Sequence, residues 1–301
     1  MKFLSPSSCK WFLCSLLLGS CQEHDAPATQ HPTQQPAPVK PDSPAQTAAA
    51  VDVTQALAAF GGFWLNAAYV THLRQTRSPR SADGKWGASG ISLLFLDPRS
   101  YQGDSLRVEV GYGNHEGGPP HYLRLRPGYP GAVLPAAADR SLGLAPLGLR
   151  YHVQGPDTVL YLHQAAGPGQ RASATPFRKV RGLPVVKDNF DLPFGQFINR
   201  HILAGTHTAT DSAGNAYTVR FTAEGQVAGL PAHRRYGVNF DFVGPFQEYD
   251  YVVFDYGQPA EEVLAFVSRG DTMRLYRVHD DTTEYKRRLG NLRFTLVRQK
   301  K

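Results

Sequence analysis

The sequence predicts an all-β protein, an antiparallel meander that closes into barrels, in two tandem related modules with one or two short helices. Three observations carry that prediction. Beyond residue 51 the chain is a succession of short apolar or alternating runs separated by turn residues. Period-two alternation is plain in YGVNFDF, where Tyr236, Val238, Phe240 and Phe242 fall on one face. The stretch GPDTVLYL (155–162) has a near twin in RGDTMRLY (269–276), and each follows an apolar run. Closely spaced strands with such turns imply a sandwich or barrel, not strands alternating with helices.

The chain opens MKFLSPSSCKWFLCSLLLGSC, with Lys2 and Lys10 before the apolar run Trp11 to Leu18. That run is far short of the roughly 20 residues that span a bilayer. It predicts a secretory signal over residues 1–20. Leu18-Gly19-Ser20-Cys21 then resembles the lipobox of bacterial lipoproteins, which implies cleavage before Cys21 and lipidation of its thiol. The competing reading is a cytosolic N-terminus with an accidental LGSC. Cleavage would remove Cys9 and Cys14 and leave Cys21 as the single cysteine, blocked by lipid. Disulfides and a thiolate metal site are then excluded, and stability must come from a packed core.

Residues 21–50 read as a lipidated tether. From 22 to 50 they hold six prolines and almost nothing large and apolar, so they should stay disordered. Extended at roughly 3.1 Å per residue, this segment would hold the folded part several nanometres from a membrane. Gln22-Glu23-His24-Asp25 resembles the acidic signal that sends some Gram-negative lipoproteins to the cell surface. The expected location is therefore the bacterial cell envelope, lipid-anchored, at the outer membrane. Net charge is +7 for the chain and, without Lys2 and Lys10, 30 basic against 25 acidic residues, or +5. The basic patches RLRPGY and YKRRLG are local and no nucleic-acid motif accompanies them, so no nucleic-acid partner is expected.

In the folded part, strands are predicted at 91–96, 106–112, 122–125, 149–153 and 159–162. A second group is predicted at 217–221, 236–242, 249–256, 263–267, 273–278 and 292–297. Asn66 to Gln75 reads as a helix with Asn66 as N-cap and Ala67, Val70 and Leu73 on one side. Residues 189–202, with Pro193, suggest a second helical stretch. FGGFWLN (60–66) is echoed by FGQFINR (194–200), and DSLRVEVGYG (104–113) loosely by DYVVFDYG (250–257). With the two DT hairpins, these echoes predict related modules over 51–182 and 186–301.

The second half, with about eight strands after LAGTHTATD, is similar to the small lipocalin-like (calycin-type) β-barrels of bacterial lipoproteins. Gly62-Phe63-Trp64 resembles the G-x-W that opens the lipocalin barrel, with the tryptophan plugging the closed end. The resemblance implies a closing arginine, for which Arg288 and Arg293 are the candidates. A closed barrel also removes sheet edges and leaves room for side chains or one small ligand.

Chemistry is sparse. His115 and Glu116 lie in a glycine-rich turn, where they could bind a polar ligand or do acid–base work if a looped backbone made them converge. His152 and His163, on opposite arms of the first DT hairpin, could approach each other and form part of a metal site. Asp241, Asp250 and Asp255 could gather around calcium, but no loop spacing supports this. Asp157 and Asp271 fit turn residues. There is no G-x-S-x-G, P-loop or H-E-x-x-H. The sequence therefore predicts no catalytic residue, no metal and no cofactor. It predicts a non-enzymatic protein attached to the membrane by its N-terminal lipid and binding a small hydrophobic or amphipathic ligand in a barrel. Candidate lining residues are Trp64, His115, Glu116, Tyr151, Phe240, Tyr251 and Phe254. The alternative is an interaction lipoprotein with filled barrels that binds a protein or glycan through its loops.

Overall fold

A computed structural model describes residues 53–87, 90–113, 116–117, 120–125, 131–133, 147–154, 157–164, 166, 171–183 and 191–300. All of them belong to one compact unit, 47–301. The expected signal over 1–20, Cys21 and the expected tether over 21–50 lie outside the described residues. The protein is all-β, with two antiparallel sheets and, among the described residues, four short α-helices.

The first sheet contains β1 (Gly62–Asn66), β2 (Ile91–Leu96), β3 (Ser105–Tyr112), β4 (Glu116–Gly117), β5 (His121–Leu125), β6 (Gly131–Val133), β7 (Leu147–Gln154), β8 (Asp157–Gln164) and β9 (Ser173–Val180). Its order is β2-β1-β9-β8-β7-β6-β5-β3-β4, and β2 also pairs with β3. Eight strands thus form a ring, with the two-residue β4 attached to β3. Alternation along the strands turns Trp64, Leu94, Leu106, Leu123, Leu160 and Phe177 into one buried cluster.

The second sheet contains β10 (Gly205–Asp211), β11 (Ala216–Phe221), β12 (Val227–Ala228), β13 (Tyr236–Val238), β14 (Asp250–Phe254), β15 (Glu262–Arg269), β16 (Thr272–Asp281) and β17 (Lys286–Arg298). Its order is β12-β11-β10-β17-β16-β15-β14-β13. Between the outer strands β12 and β13 there is an isolated bridge, Gln226 to Arg235, and a hydrogen bond from Tyr236 N to Gly225 O at 2.7 Å. This ring is closed by a seam instead of a ladder.

Helix α1 (Val53–Phe60) precedes β1, α2 (Ala67–Thr76) and α3 (Pro79–Ala82) follow it, and α4 (Asp191–Ile202) precedes β10. Asn66 caps α2 as expected, its side-chain oxygen accepting from Ala68 N at 3.1 Å and Tyr69 N at 3.5 Å. Arg77, in the left-handed region at φ 53°, ends that helix. Tyr69, Leu73 and Trp86 join Phe194, Phe197 and Ile202 of the α4 region in the cluster that also fills the second ring. The first ring keeps a core of its own, while its outer face continues into the interior of the second.

Both rings open on one plan. A helix ends, a glycine takes a positive φ (Gly62, 117°; Gly205, 133°), and the first strand begins. Two residues on, a ring nitrogen bonds a carbonyl four residues back: Trp64 Nε1 to Phe60 O at 2.6 Å, His207 Nε2 to Leu203 O at 2.8 Å. A cation from the last strand then bonds the carbonyls ending the helix. Lys179 donates to Ala59 O at 3.2 Å, and Arg298 to Ala204 O at 2.9 Å and Ile202 O at 3.1 Å. A Cβ on either glycine would take a strained positive φ and stand 3.1 to 3.3 Å from that cation's side chain, a tight contact.

This plan corrects the pairing of FGGFWLN with FGQFINR: the first is a helix end and strand β1, whereas the second lies inside α4. The true counterpart of Gly62-Phe63-Trp64 is Gly205-Thr206-His207. The echo of 104–113 in 250–257 also joins unlike places, the third strand of one ring and the fifth of the other. The DT hairpins do correspond, each linking the sixth and seventh strands. In the second ring the cation on the helix end is Arg298. Arg288 pairs instead with Asp281 and Glu284, and Arg293 with Glu262.

Candidate functional site

The open seam of the second ring positions the most developed surface site among the described residues. Between β12 and β13 only the Gln226–Arg235 bridge and the bonds from Val227 N to Arg234 O and Tyr236 N to Gly225 O join the two sides. Gly225, at φ 83°, lies where a Cβ would stand 2.6 Å from Tyr236 O. The expected strand 236–242 stops at Val238. Beyond it Phe240 swings onto Phe194 of α4, with ring centroids 5.0 Å apart and near-perpendicular planes. Asn199 of α4 replaces the missing strand partner by accepting from Val238 N at 3.0 Å and donating to Ala223 O at 3.2 Å.

A cleft of about 480 Å³ runs along this seam. Phe240, Tyr236 and Val253 give it apolar walls, Gly237 leaves space where a side chain would stand, and Asn239, Glu224 and Arg235 supply polar groups. Tyr256 stands at its edge with 82% of its surface exposed.

Behind the cleft, His233 bridges two carboxylates. Its Nδ1 lies 2.9 Å from Asp255 Oδ2 and its Nε2 3.1 Å from Glu262 Oε2, while its exposure is 3%. Asp255, itself at φ 47°, also accepts from Arg234 N at 3.0 Å and Arg235 N at 2.9 Å. Glu262 hydrogen-bonds His233 and so raises its pKa; burial opposes this, and Asp255 adds to the rise. Burial alone would raise the Asp255 carboxyl, but the bonds from His233 and the two amides hold it below its usual value. Glu262 is lowered chiefly by the same imidazole. The cluster is best described as an imidazolium between two carboxylates. With both ring nitrogens engaged, His233 is neither a ready base nor a ready ligand. Its effect is to tie the loop carrying Arg235 to the loop carrying Tyr256, which are two walls of the cleft.

The sequence-derived site residues do not converge. Trp64 is wholly buried inside the first ring and Phe254 inside the second. Tyr251 faces away from that interior, donating to Phe246 O at 2.5 Å beneath the Arg287 guanidinium. Tyr151 pairs with Leu160 and Glu116 with Tyr112 on the backbone, while His115 lies outside the described residues. Phe240 is the one candidate that lines the cleft. His152 and His163 do not approach each other: His152 pairs with Val159 and His163 with Gly148, four positions apart, or about 13 Å along the strand. Asp241, Asp250 and Asp255 serve separate places, the first two accepting from Val243 N and Arg80 N. Among the described residues no group of three His, Cys, Asp or Glu side chains is arranged to hold a metal ion.

Sequence reasoning missed Arg235, Tyr256, His233 and Glu262. The last two are 29 residues apart in no motif, and Tyr256, placed at the end of the predicted strand 249–256, lies just past the observed strand, which ends at Phe254. No family model matches the chain, and no match to it was found among curated proteins.

Proposed function

We propose that the protein is a lipid-anchored, non-catalytic binding protein of the bacterial cell envelope that takes a small amphipathic ligand in the seam cleft of its second ring. The observation that carries this reading is the cleft: concave, aromatic on its walls, and bearing one cation, one anion and one amide at its edge. Buried side chains occupy the described interior faces of both rings, which favours a ligand at the seam over one inside a barrel. An apolar ring or short chain would lie against Phe240 and Val253, with a polar or charged end at Arg235 or Glu224. The lipid anchor is supported by LGSC, the apolar run before it and the proline-rich stretch after it.

The test uses the mature chain with Cys21→Ser, purified natively and compared by native and denaturing mass spectrometry. The expected result is a bound small molecule that is lost in Tyr256→Ala and Phe240→Ala. A bare protein that stays bare against envelope lipid extracts would sink the ligand reading and favour a protein or glycan partner at the loops. The anchor is tested separately. The unsubstituted chain should fractionate with membranes carrying a diacylglyceryl mass on Cys21, and Cys21→Ser should be soluble.

A further inference from the structure

The outer face of β11, β10, β17, β16 and β15 has an unusual composition. Register places Arg269, Thr272 and Val297 in one row, and Val267, Arg274 and Thr295 in the next. Tyr276 and Leu292 are paired in the row beyond, and Thr206 is opposite Arg220 at the other side. Three exposed arginines thus share this face. None of them forms an ion pair among the described residues, and no carboxylate lies in these rows. The nearest acids sit at strand ends and are engaged, Asp211 with Asn215 and Tyr217 and Asp271 with Lys300. Between the arginines, Val267, Val297 and Leu292 are 49%, 44% and 37% exposed. A hollow of about 390 Å³ lies among Val267, Ser268, Arg269, Thr272, Arg274 and Tyr276.

We propose that this face rests on an anionic phospholipid surface. Arginines without acidic neighbours are complementary to phosphate headgroups, and the hollow between Arg269 and Arg274 is large enough for one. A soluble polyanion would account for the arginines but not for the exposed aliphatic residues among them. An interfacial layer satisfies both, because valine and leucine enter the acyl boundary while guanidinium groups stay with the phosphates. In ring order, the β17–β10 pair is half a turn from β13 and β14. Docked this way, the protein would turn its seam cleft toward water.

The test uses the full mature chain with Cys21→Ser, so that its outcome does not depend on lipidation. The chain is sedimented with phosphatidylcholine vesicles, with and without phosphatidylglycerol, at low and high salt. Binding is expected to vesicles containing phosphatidylglycerol and to weaken with salt. Each arginine is worth about fivefold, so Arg269→Gln with Arg274→Gln should weaken binding roughly 25-fold. Arg99→Gln, which removes a charge from an exposed side chain of the first ring, should change it less than twofold. Absence of binding, equal binding to both vesicle types, or equal loss in Arg99→Gln and Arg269→Gln would overturn the proposal.

Discussion

His233 shows how one side chain sets a pH dependence. Its folded pKa is raised, chiefly by Glu262, so the stability it contributes is fully present below its unfolded value and is lost as pH rises through the folded one. Asp255 and Glu262 are lowered; their contribution is present above their unfolded values and is lost as pH falls through the folded ones. Stability should therefore peak between the carboxylate and imidazole transitions. Urea unfolding from pH 4 to 9 should show a decline on the alkaline side that is absent in His233→Gln. That variant leaves buried Asp255 and half-buried Glu262 facing a neutral amide, a change expected to cost about 2 kcal/mol at pH 6. An unchanged alkaline limb would remove the imidazolium from the account.

At the scale of elements, the end of α4 is held by charge. Arg77 donates to Ile202 O at 2.6 Å and to Gly270 O at 3.0 Å, and Arg298 binds the same helix end. Two cations on one set of carbonyls would repel each other in water. Here the unpaired carbonyls at the helix C-terminus offset that repulsion. Arg298→Met should destabilise the protein by about 2 kcal/mol, the loss of two charge-assisted bonds with partial burial. Arg293→Met, which loses ion pairing to Glu262, should cost about 1 kcal/mol or less. Thermal melts of the two variants distinguish Arg298 as the cation that holds the helix end. The seam makes a separate demand. Gly225→Ala must adopt a positive φ and push Tyr236 O away, and should cost about 2–3 kcal/mol. If it melts like the parent, the seam is looser than described.

The two rings behave as one molecule because a continuous apolar cluster crosses between them. Tyr69 stacks on Trp86 at 4.1 Å and meets Phe194 at 5.6 Å, while Arg80 N bonds Asp250 at 2.8 Å. Separating the rings would expose these aromatic faces to water at a cost of about 25 cal/mol per Å². Unfolding is therefore expected to be a single transition. Trp64 is buried inside the first ring and Trp86 in the cluster that also fills the second, whereas far-ultraviolet circular dichroism reports on both sheets. Fluorescence and dichroism should give coincident urea curves. Two separate midpoints would show that the rings unfold independently. For the same reason residues 186–301 alone should be markedly less stable than the whole chain.

Much of this architecture was legible in the sequence. ISLLFL is β2 to the residue, Asn66 caps its helix, and the DT hairpins mark the same two strands in each ring. These features are local: alternation, turn chemistry and capping act over a few residues, so they are written in order along the chain. Other features depended on which strands meet. YGVNFDF carries a perfect alternation but leaves the sheet after Val238, where Phe240 packs on Phe194 of a helix far earlier in the chain. The match between Trp64 and His207 was hidden because two different rings make the same hydrogen bond. The cleft, the imidazolium clasp and the acid-free face join residues distant in sequence. Their charges and aromatic rings were visible one by one, but burial, register and the closure of the ring decided which of them became neighbours.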